Sequence, residues 1–150
     1  MIQIHFERLR ALGLTPALAH LAATLSQDNH DDSRQLMRLT EVHRDTVRVH
    51  DGEDEHGARA LPRLLRLLAD EESALAVGDW VLVERDAHGQ WWVEARVPPL
   101  SRIVRRDADG RRHPVVSNVD TALLVMGLDD DFNPRRLERY LALVDRKSVV

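Results

Sequence analysis

The chain has 150 residues, of which 43% are hydrophobic and 31% are charged, a composition that fits a globular protein with one full domain and part of a second. No apolar run approaches the length of a membrane-spanning helix, and Met1 to Arg10 lack the apolar core of a secretion signal. The absence of cysteines excludes disulfides and thiolate zinc sites. We therefore expect a cytoplasmic protein with no membrane partner.

The charge is unevenly distributed along this chain, whose net charge is -4. Six arginines and two aspartates lie between Arg96 and His113, so this window carries about +4 and the remainder about -8. A concentrated basic stretch on an acidic protein indicates an anionic partner. One alternative is a solvated hairpin, and another is that the arginines pair with the protein's own acidic loops.

The first predicted element is a helix that begins at Thr15-Pro16, because threonine is a good N-cap and proline suits the first helical position. Its apolar residues recur at helical spacing. These are Leu18, Leu21, Ala22 and Leu25. The polar stretch from Ser26 to Ser33 is predicted to be a loop or linker.

Period-2 patterns then predict two pairs of short strands. They are Leu36 to Val42 with Thr46 to His50, and Trp80 to Glu84 with Trp91 to Val97, the second pair around the turn Asp86 to Gly89. Short strands at this spacing favour a small barrel or sandwich. The segment Leu61 to Leu68 is ambiguous, because its leucines have helical spacing whereas Pro62 and the flanking strands suit a strand.

The pattern of apolar residues changes in the C-terminal part of the chain. Val119 to Met126 is almost continuously apolar, which predicts a strand buried on both faces. Asn133-Pro134 then resembles a second helix start, followed by an apolar stripe from Leu137 to Val144. A buried strand followed by an amphipathic helix is typical of the opening of an α/β unit.

Four short segments resemble the circularly permuted ribosome-biogenesis GTPases of the RsgA type, which depend on the small ribosomal subunit. They are Val77 to Val81, Pro98 to Arg106, Asn118 to Asp120 and Arg136 to Leu141. They occur in the family's order and at similar spacing. Pro99 is a departure, since the family commonly has an arginine there.

This resemblance implies a mainly β fold. A short helix would precede a five-stranded OB-fold barrel, with Leu61 to Leu68 as a barrel strand, and the first β-α unit of a GTPase domain would follow. The implied division is 1–34 as a helical extension, 35–113 as an RNA-binding OB domain and 114–144 as a truncated GTPase domain.

We interpret the remaining segment, 145–150, as a suspected non-native tail. It contains Lys147, the single lysine of the chain, and it matches the translation of the start of a common sequencing adapter. The alternative is a genuine terminus of divergent sequence.

The resemblance also implies a partner and cofactors. The expected partner is the small ribosomal subunit with its rRNA, and the expected state is a monomer. GTP, magnesium and zinc are expected only for the intact family member. Since the chain has neither a Gly-x4-Gly-Lys-Ser/Thr loop nor an Asn-Lys-x-Asp motif, we expect it to be inactive as a GTP hydrolase by itself.

The RNA-binding candidates are arginines of the basic stretch and two tryptophans. They are Arg102, Arg105, Arg106, Arg111, Arg112, Trp91 and Trp92. Arginine forks pair well with phosphate oxygens. The adjacent tryptophans face opposite sides of a strand, so one is predicted to enter the core while the other either stacks on a base or packs under a loop.

Two alternatives remain. His50, Asp51, Asp54 and His56 lie close together, but they lack the spacing of metal ligands and are interpreted as a solvated acidic loop. The chain could also be a free-standing OB-fold nucleic-acid-binding module, although such a module has no use for the apolar strand Thr121 to Met126.

Overall fold

A computed structural model describes residues 2–26, 33–127 and 132–145. The helices are α1 (Phe6–Arg10), α2 (Pro16–Ser26), α3 (Pro62–Asp70) and α4 (Pro134–Asp145). The strands are β1 (Gln35–Val42), β2 (Val47–His50), β3 (Glu55–Ala60), β4 (Trp80–Arg85), β5 (Trp91–Arg96), β6 (Arg102–Arg106) and β7 (Arg112–Ser117). Most of the predicted linker and residues 146–150 of the suspected tail lie outside the described residues.

The first five strands form a closed barrel in the order β1-β2-β3-β5-β4. The β3–β5 pair is parallel and the other pairs are antiparallel. The predicted OB-fold barrel is confirmed, as are the four strands predicted from period-2 patterns. Its interior is filled by buried apolar side chains from the strands, α3 and the segment after α3. They are Met37, Leu39, Val47, Val49, Ala58, Leu64, Leu68, Leu75, Val81, Val83 and Val93.

The prediction of a strand over Leu61 to Leu68 is wrong, because this segment lies within and next to helix α3. Pro62 occupies the first helical turn, and Leu64 and Leu68, which are one turn apart, enter the barrel core. The barrel strand that the sequence patterns did not predict is β3, in which Ala58 is the single buried residue. Such a small, polar strand lacks the bulky apolar alternation on which the prediction depended.

Both predicted helix starts are confirmed. The Leu18 amide donates to the Thr15 hydroxyl at 3.3 Å, and the Arg136 amide donates to Oδ1 of Asn133 at 3.1 Å. Helices α1 and α2 pack on the outer face of β1 and β4. There they form a second core cluster with Leu36, Trp80, Leu82 and Val97. Strand β4 is therefore buried on both faces.

The strand predicted over Val119 to Met126 is not formed. Residues 119–127 pair with no strand of the described chain, and the side chains of Leu123 and Val125 are 86% and 84% exposed. A β-strand depends on a neighbour for its backbone hydrogen bonds, and an apolar sequence alone does not supply one.

We expect amide hydrogens of residues 121–127 to exchange much faster than those of β4, because this segment lacks ladder hydrogen bonds. Native-state hydrogen exchange read by mass spectrometry would measure the difference. An unpaired apolar segment also favours association between chains. Equal protection of both segments in a demonstrated monomer would contradict the expectation.

Candidate nucleic-acid interface

The basic stretch forms an antiparallel hairpin, β6–β7, outside the barrel. Its tip is held by Asp107, whose Oδ1 accepts hydrogen bonds from the amides of Asp109 at 3.0 Å and Arg111 at 2.8 Å. Oδ2 of Asp107 lies 2.8 Å from Nε2 of His113. The hydrogen bonds from His113 and from the Arg111 amide lower the pKa of Asp107, so this half-buried carboxylate is ionised at neutral pH.

Four arginines of this hairpin project into solvent, and we call them the hairpin arginines: Arg105, Arg106, Arg111 and Arg112. None forms an ion pair with a residue in the described part of the chain. Arg106 and Arg112 are directly opposite each other across the two strands, an arrangement that is destabilising for like charges. Three of the four line an open cavity of about 730 Å³ that also borders Ser73 and Ala74.

Arg102 differs from the hairpin arginines because it is half-buried and bonded within the protein. Its Nη2 donates to the hydroxyl of Ser73 at 2.5 Å. Burial, followed by the nearby charge of Arg96, lowers the pKa of Arg102. Arg96 of β5 donates to the same hydroxyl at 2.8 Å, so Ser73 links the barrel to the hairpin. We therefore leave Arg102 out of the solvent-facing surface.

Asn118 connects the hairpin to the barrel from the other side. Its Nδ2 donates to the carbonyl of Gly78 at 3.0 Å, and its Oδ1 accepts from the amide of Leu100 at 2.9 Å. The backbone of Asn118 is in the left-handed region (φ 53°), which asparagine tolerates better than most residues. Arg38 of β1 donates to the carbonyls of both Leu12 and Asn118. The segments around Gly78, Leu100 and Asn118 thus meet at one junction.

Gly78 and Asp79 complete this junction. Gly78 has φ 88°, and a Cβ atom there would overlap the carbonyl oxygen of Ser117. Asp79 is fully buried, and its Oδ2 accepts from the Ala76 amide at 2.9 Å. Burial raises the pKa of Asp79, and the Ala76 amide partly offsets that effect. The hairpin is therefore attached to the barrel by buried contacts rather than by a free linker.

The two tryptophans lie on β5, in the barrel. Trp91 packs against the barrel core, with Arg85 5.6 Å from its ring centre and His56 5.5 Å away. Trp92 donates its ring N–H to Oδ2 of Asp86 at 2.9 Å. Both rings are half-buried, and no hydrogen bond or ring contact among the described residues joins them to the hairpin arginines. The structure therefore separates the predicted candidates into two places.

The histidine and aspartate cluster forms a turn. Oδ1 of Asp51 accepts from the amides of Glu53 and Asp54, both at 2.8 Å, and Oδ2 lies 2.9 Å from Nε2 of His56. Partial burial raises the pKa of Asp51, but these hydrogen bonds outweigh it and lower the pKa to about 2. Among residues 2–26, 33–127 and 132–145 there is no group of three side chains placed to bind a metal ion. No helix in the same ranges is long and apolar enough to cross a membrane.

Comparison with known proteins decides the family. Residues 97–150, which include the hairpin and α4, match the family model described as RsgA GTPase. A small ribosomal subunit biogenesis GTPase RsgA of Xanthomonas oryzae pv. oryzae is 40% identical over 110 residues, covering 71% of this chain and 29% of the relative. The chain belongs to the RsgA family. The relative of that name in Leptospira interrogans is 39% identical over 80 residues, which cover 51% of this chain and 22% of the relative.

The fold agrees with this RsgA assignment. The crystal structure of YloQ, described as a circularly permuted GTPase, superposes with a TM-score of 0.52 at 19% identity. The superposition covers 79% of this chain and 39% of that chain. The chain spans less than a third of the length of the RsgA relatives that it matches.

Several residues that build this candidate interface were missed by sequence reasoning. Ser73 and Arg38 carry no local motif, because their partners lie far away along the chain. Asp107 did leave a signal. The sequence Asp-Ala-x-Gly occurs at both Asp86 and Asp107, and each time a ring N–H donor follows six residues after the aspartate.

Proposed function

We propose that this chain is the N-terminal part of a GTPase that assists maturation of the small ribosomal subunit, and that it supplies the platform that docks on rRNA. The first half of the proposal rests on the relatives, which are named small ribosomal subunit biogenesis GTPases. A cytoplasmic location and a monomeric state belong to the same proposal.

The hairpin arginines carry the docking half of the proposal. Four exposed guanidinium groups lie near one hairpin tip and pair with no carboxylate in the described ranges. Placing arginines in opposed positions costs stability. Phosphate groups would offset that cost, because each guanidinium can donate two parallel hydrogen bonds to phosphate oxygens. Such contacts position a protein on nucleic acid without reading its sequence.

The rival function, a free-standing OB module, is less well supported. The family match begins at residue 97 and continues through the junction and α4, beyond the last barrel strand. The cofactors of the intact protein do not fit the residues present. The sequence has no phosphate-binding loop, and the described ranges contain no cluster of metal ligands. GTP, magnesium and zinc stay expectations for the intact protein.

The docking proposal is tested by removing two arginines. We expect Arg105→Ala/Arg106→Ala to weaken binding of the 150-residue chain to purified small ribosomal subunits. The dependence of log affinity on log salt should flatten by roughly 0.7 to 0.9 for each phosphate that the variant no longer neutralises. Fluorescence anisotropy at several salt concentrations measures both quantities. The fold should be unaffected, because exposed arginines contribute little to stability.

The matched control is Arg10→Ala/Arg66→Ala, which removes two exposed arginines outside the hairpin. An equal loss of affinity in both double variants would show that net charge alone governs binding. Unchanged affinity in the Arg105/Arg106 variant would show that rRNA binds elsewhere or not at all. Either result would overturn the assignment of the hairpin as the docking surface.

A further inference from the structure

The hairpins β4–β5 and β6–β7 have the same carboxylate clamp at their tips. Oδ1 of Asp86 accepts from the amides of His88 and Gln90, both at 2.9 Å, as Oδ1 of Asp107 accepts from two amides of its own turn. In each turn the other carboxylate oxygen binds a ring nitrogen on the following strand. A glycine with positive φ lies three residues after each aspartate. The arrangement is therefore a repeated local device.

In β6–β7 this clamp holds the backbone that carries the hairpin arginines. Arg106 immediately precedes Asp107, and the Arg111 amide is one of the donors to its carboxylate. His113, the ring partner, follows Arg112 and is paired with Arg105 across the strands. The clamp thus fixes the turn between the arginines of one strand and those of the other.

The charge of Asp107 opposes this geometric effect. A carboxylate among four arginines lowers the local positive potential, and on charge alone it weakens attraction of an anion. A fixed tip has the opposite effect, because an ordered surface loses less conformational freedom when it binds.

We propose that Asp107 is a positioning residue of the docking surface, holding the hairpin arginines in the arrangement that rRNA phosphates contact, so that its net effect on RNA affinity is favourable. The inference rests on the proposed docking function. It assigns no contact between Asp107 and RNA.

Two substitutions separate geometry from charge. Asp107→Asn and Asp107→Ala remove the same negative charge, but asparagine keeps an oxygen that can accept from the turn amides. We expect the Ala variant to bind small ribosomal subunits about fivefold more weakly than the Asn variant, since a net hydrogen bond is worth about 1 kcal/mol. Equal, tightened binding by both variants would show that Asp107 acts only through its charge and would overturn the proposal.

Two control variants measure how loss of charge alone and loss of the other clamp alone affect RNA affinity. Asp109→Ala removes a negative charge from the same tip without removing a side-chain acceptor of the clamp, and it should bind slightly more tightly than the wild type. Asp86→Ala breaks the equivalent clamp in β4–β5 and should leave RNA affinity unchanged. A loss in Asp86→Ala equal to that in Asp107→Ala would show that any damaged hairpin weakens binding, which would overturn the positioning role.

The other half of the clamp gives a second test in case Asp107→Ala does not fold. His113→Trp keeps a ring N–H donor, as Trp92 provides in β4–β5, whereas His113→Phe is also aromatic and uncharged but has no donor. We expect the Phe variant to bind about threefold more weakly than the Trp variant, less than a full net hydrogen bond would give. Equal affinities would count against the clamp.

The Arg105→Ala/Arg106→Ala variant is measured in the same series. If that variant binds normally, the proposed docking function fails. If it binds weakly while Asp107→Ala matches Asp107→Asn, the docking function stands and only the positioning inference fails.

Discussion

Replacement of Gly78 by alanine should destabilise the protein by at least about 3 kcal/mol, because it combines backbone strain with steric overlap. Gly78 has φ 88°, and its Cβ would overlap the carbonyl oxygen of Ser117, an atom of the hairpin backbone that cannot move aside alone. The overlap would break the hydrogen bond that the Ser117 amide donates to the Val77 carbonyl at 2.8 Å. Urea unfolding followed by tryptophan fluorescence would measure the loss.

Gly110→Ala provides a control for the strain alone. Gly110 has φ 80°, but no heavy atom lies within 4 Å of the position that its Cβ would take. Its replacement should therefore cost only the backbone penalty, about 1 kcal/mol. If the two variants lose the same stability, close contact between Gly78 and Ser117 does not hold the hairpin to the barrel.

Sequence patterns predicted the barrel where its strands carry bulky apolar side chains. Strand β4 buries Trp80 to Val83 in succession, β1 buries Leu36, Met37 and Leu39, and β2 buries its valines at alternate positions. Strand β3 was missed because its single buried side chain, Ala58, gives almost no signal. Its place was assigned to Leu61 to Leu68, whose leucines have helical spacing and enter the core from α3 instead.

The basic stretch was predictable, but its internal arrangement was not. The sequence does not show which arginines are buried. In the structure Arg102 is half-buried against Ser73, whereas the hairpin arginines are exposed. That difference depends on contacts between residues far apart in the chain. The junction shows the same limit, since Arg38 and Asn118 are bonded across eighty positions and neither carries a local sequence signal for that pairing.

Replacement of Trp80 by alanine should have the other large effect, a loss of about 4 kcal/mol. Trp80 is fully buried between β4 and the N-terminal helices, and the guanidinium of Arg38 lies 5.7 Å from its ring centre. Removing the ring leaves a cavity in the core cluster that Trp80 shares with Leu9 and Leu18. Denaturant unfolding measures the total cost. Hydrogen exchange in α2 should rise more than in β2, which lies away from the cavity.

Trp92→Ala removes the same side chain from a half-buried site, where the main loss is one hydrogen bond to Asp86, and it should cost about 1 to 2 kcal/mol. The comparison also tests the predicted boundary between residues 34 and 35. A large loss of stability in Trp80→Ala, together with faster amide exchange in α2, would mean that the N-terminal helices and the barrel share one core and unfold together. Equal losses at the two tryptophans, with α2 unaffected, would mean that residues 1–34 are a separable extension whose packing contributes little to the barrel.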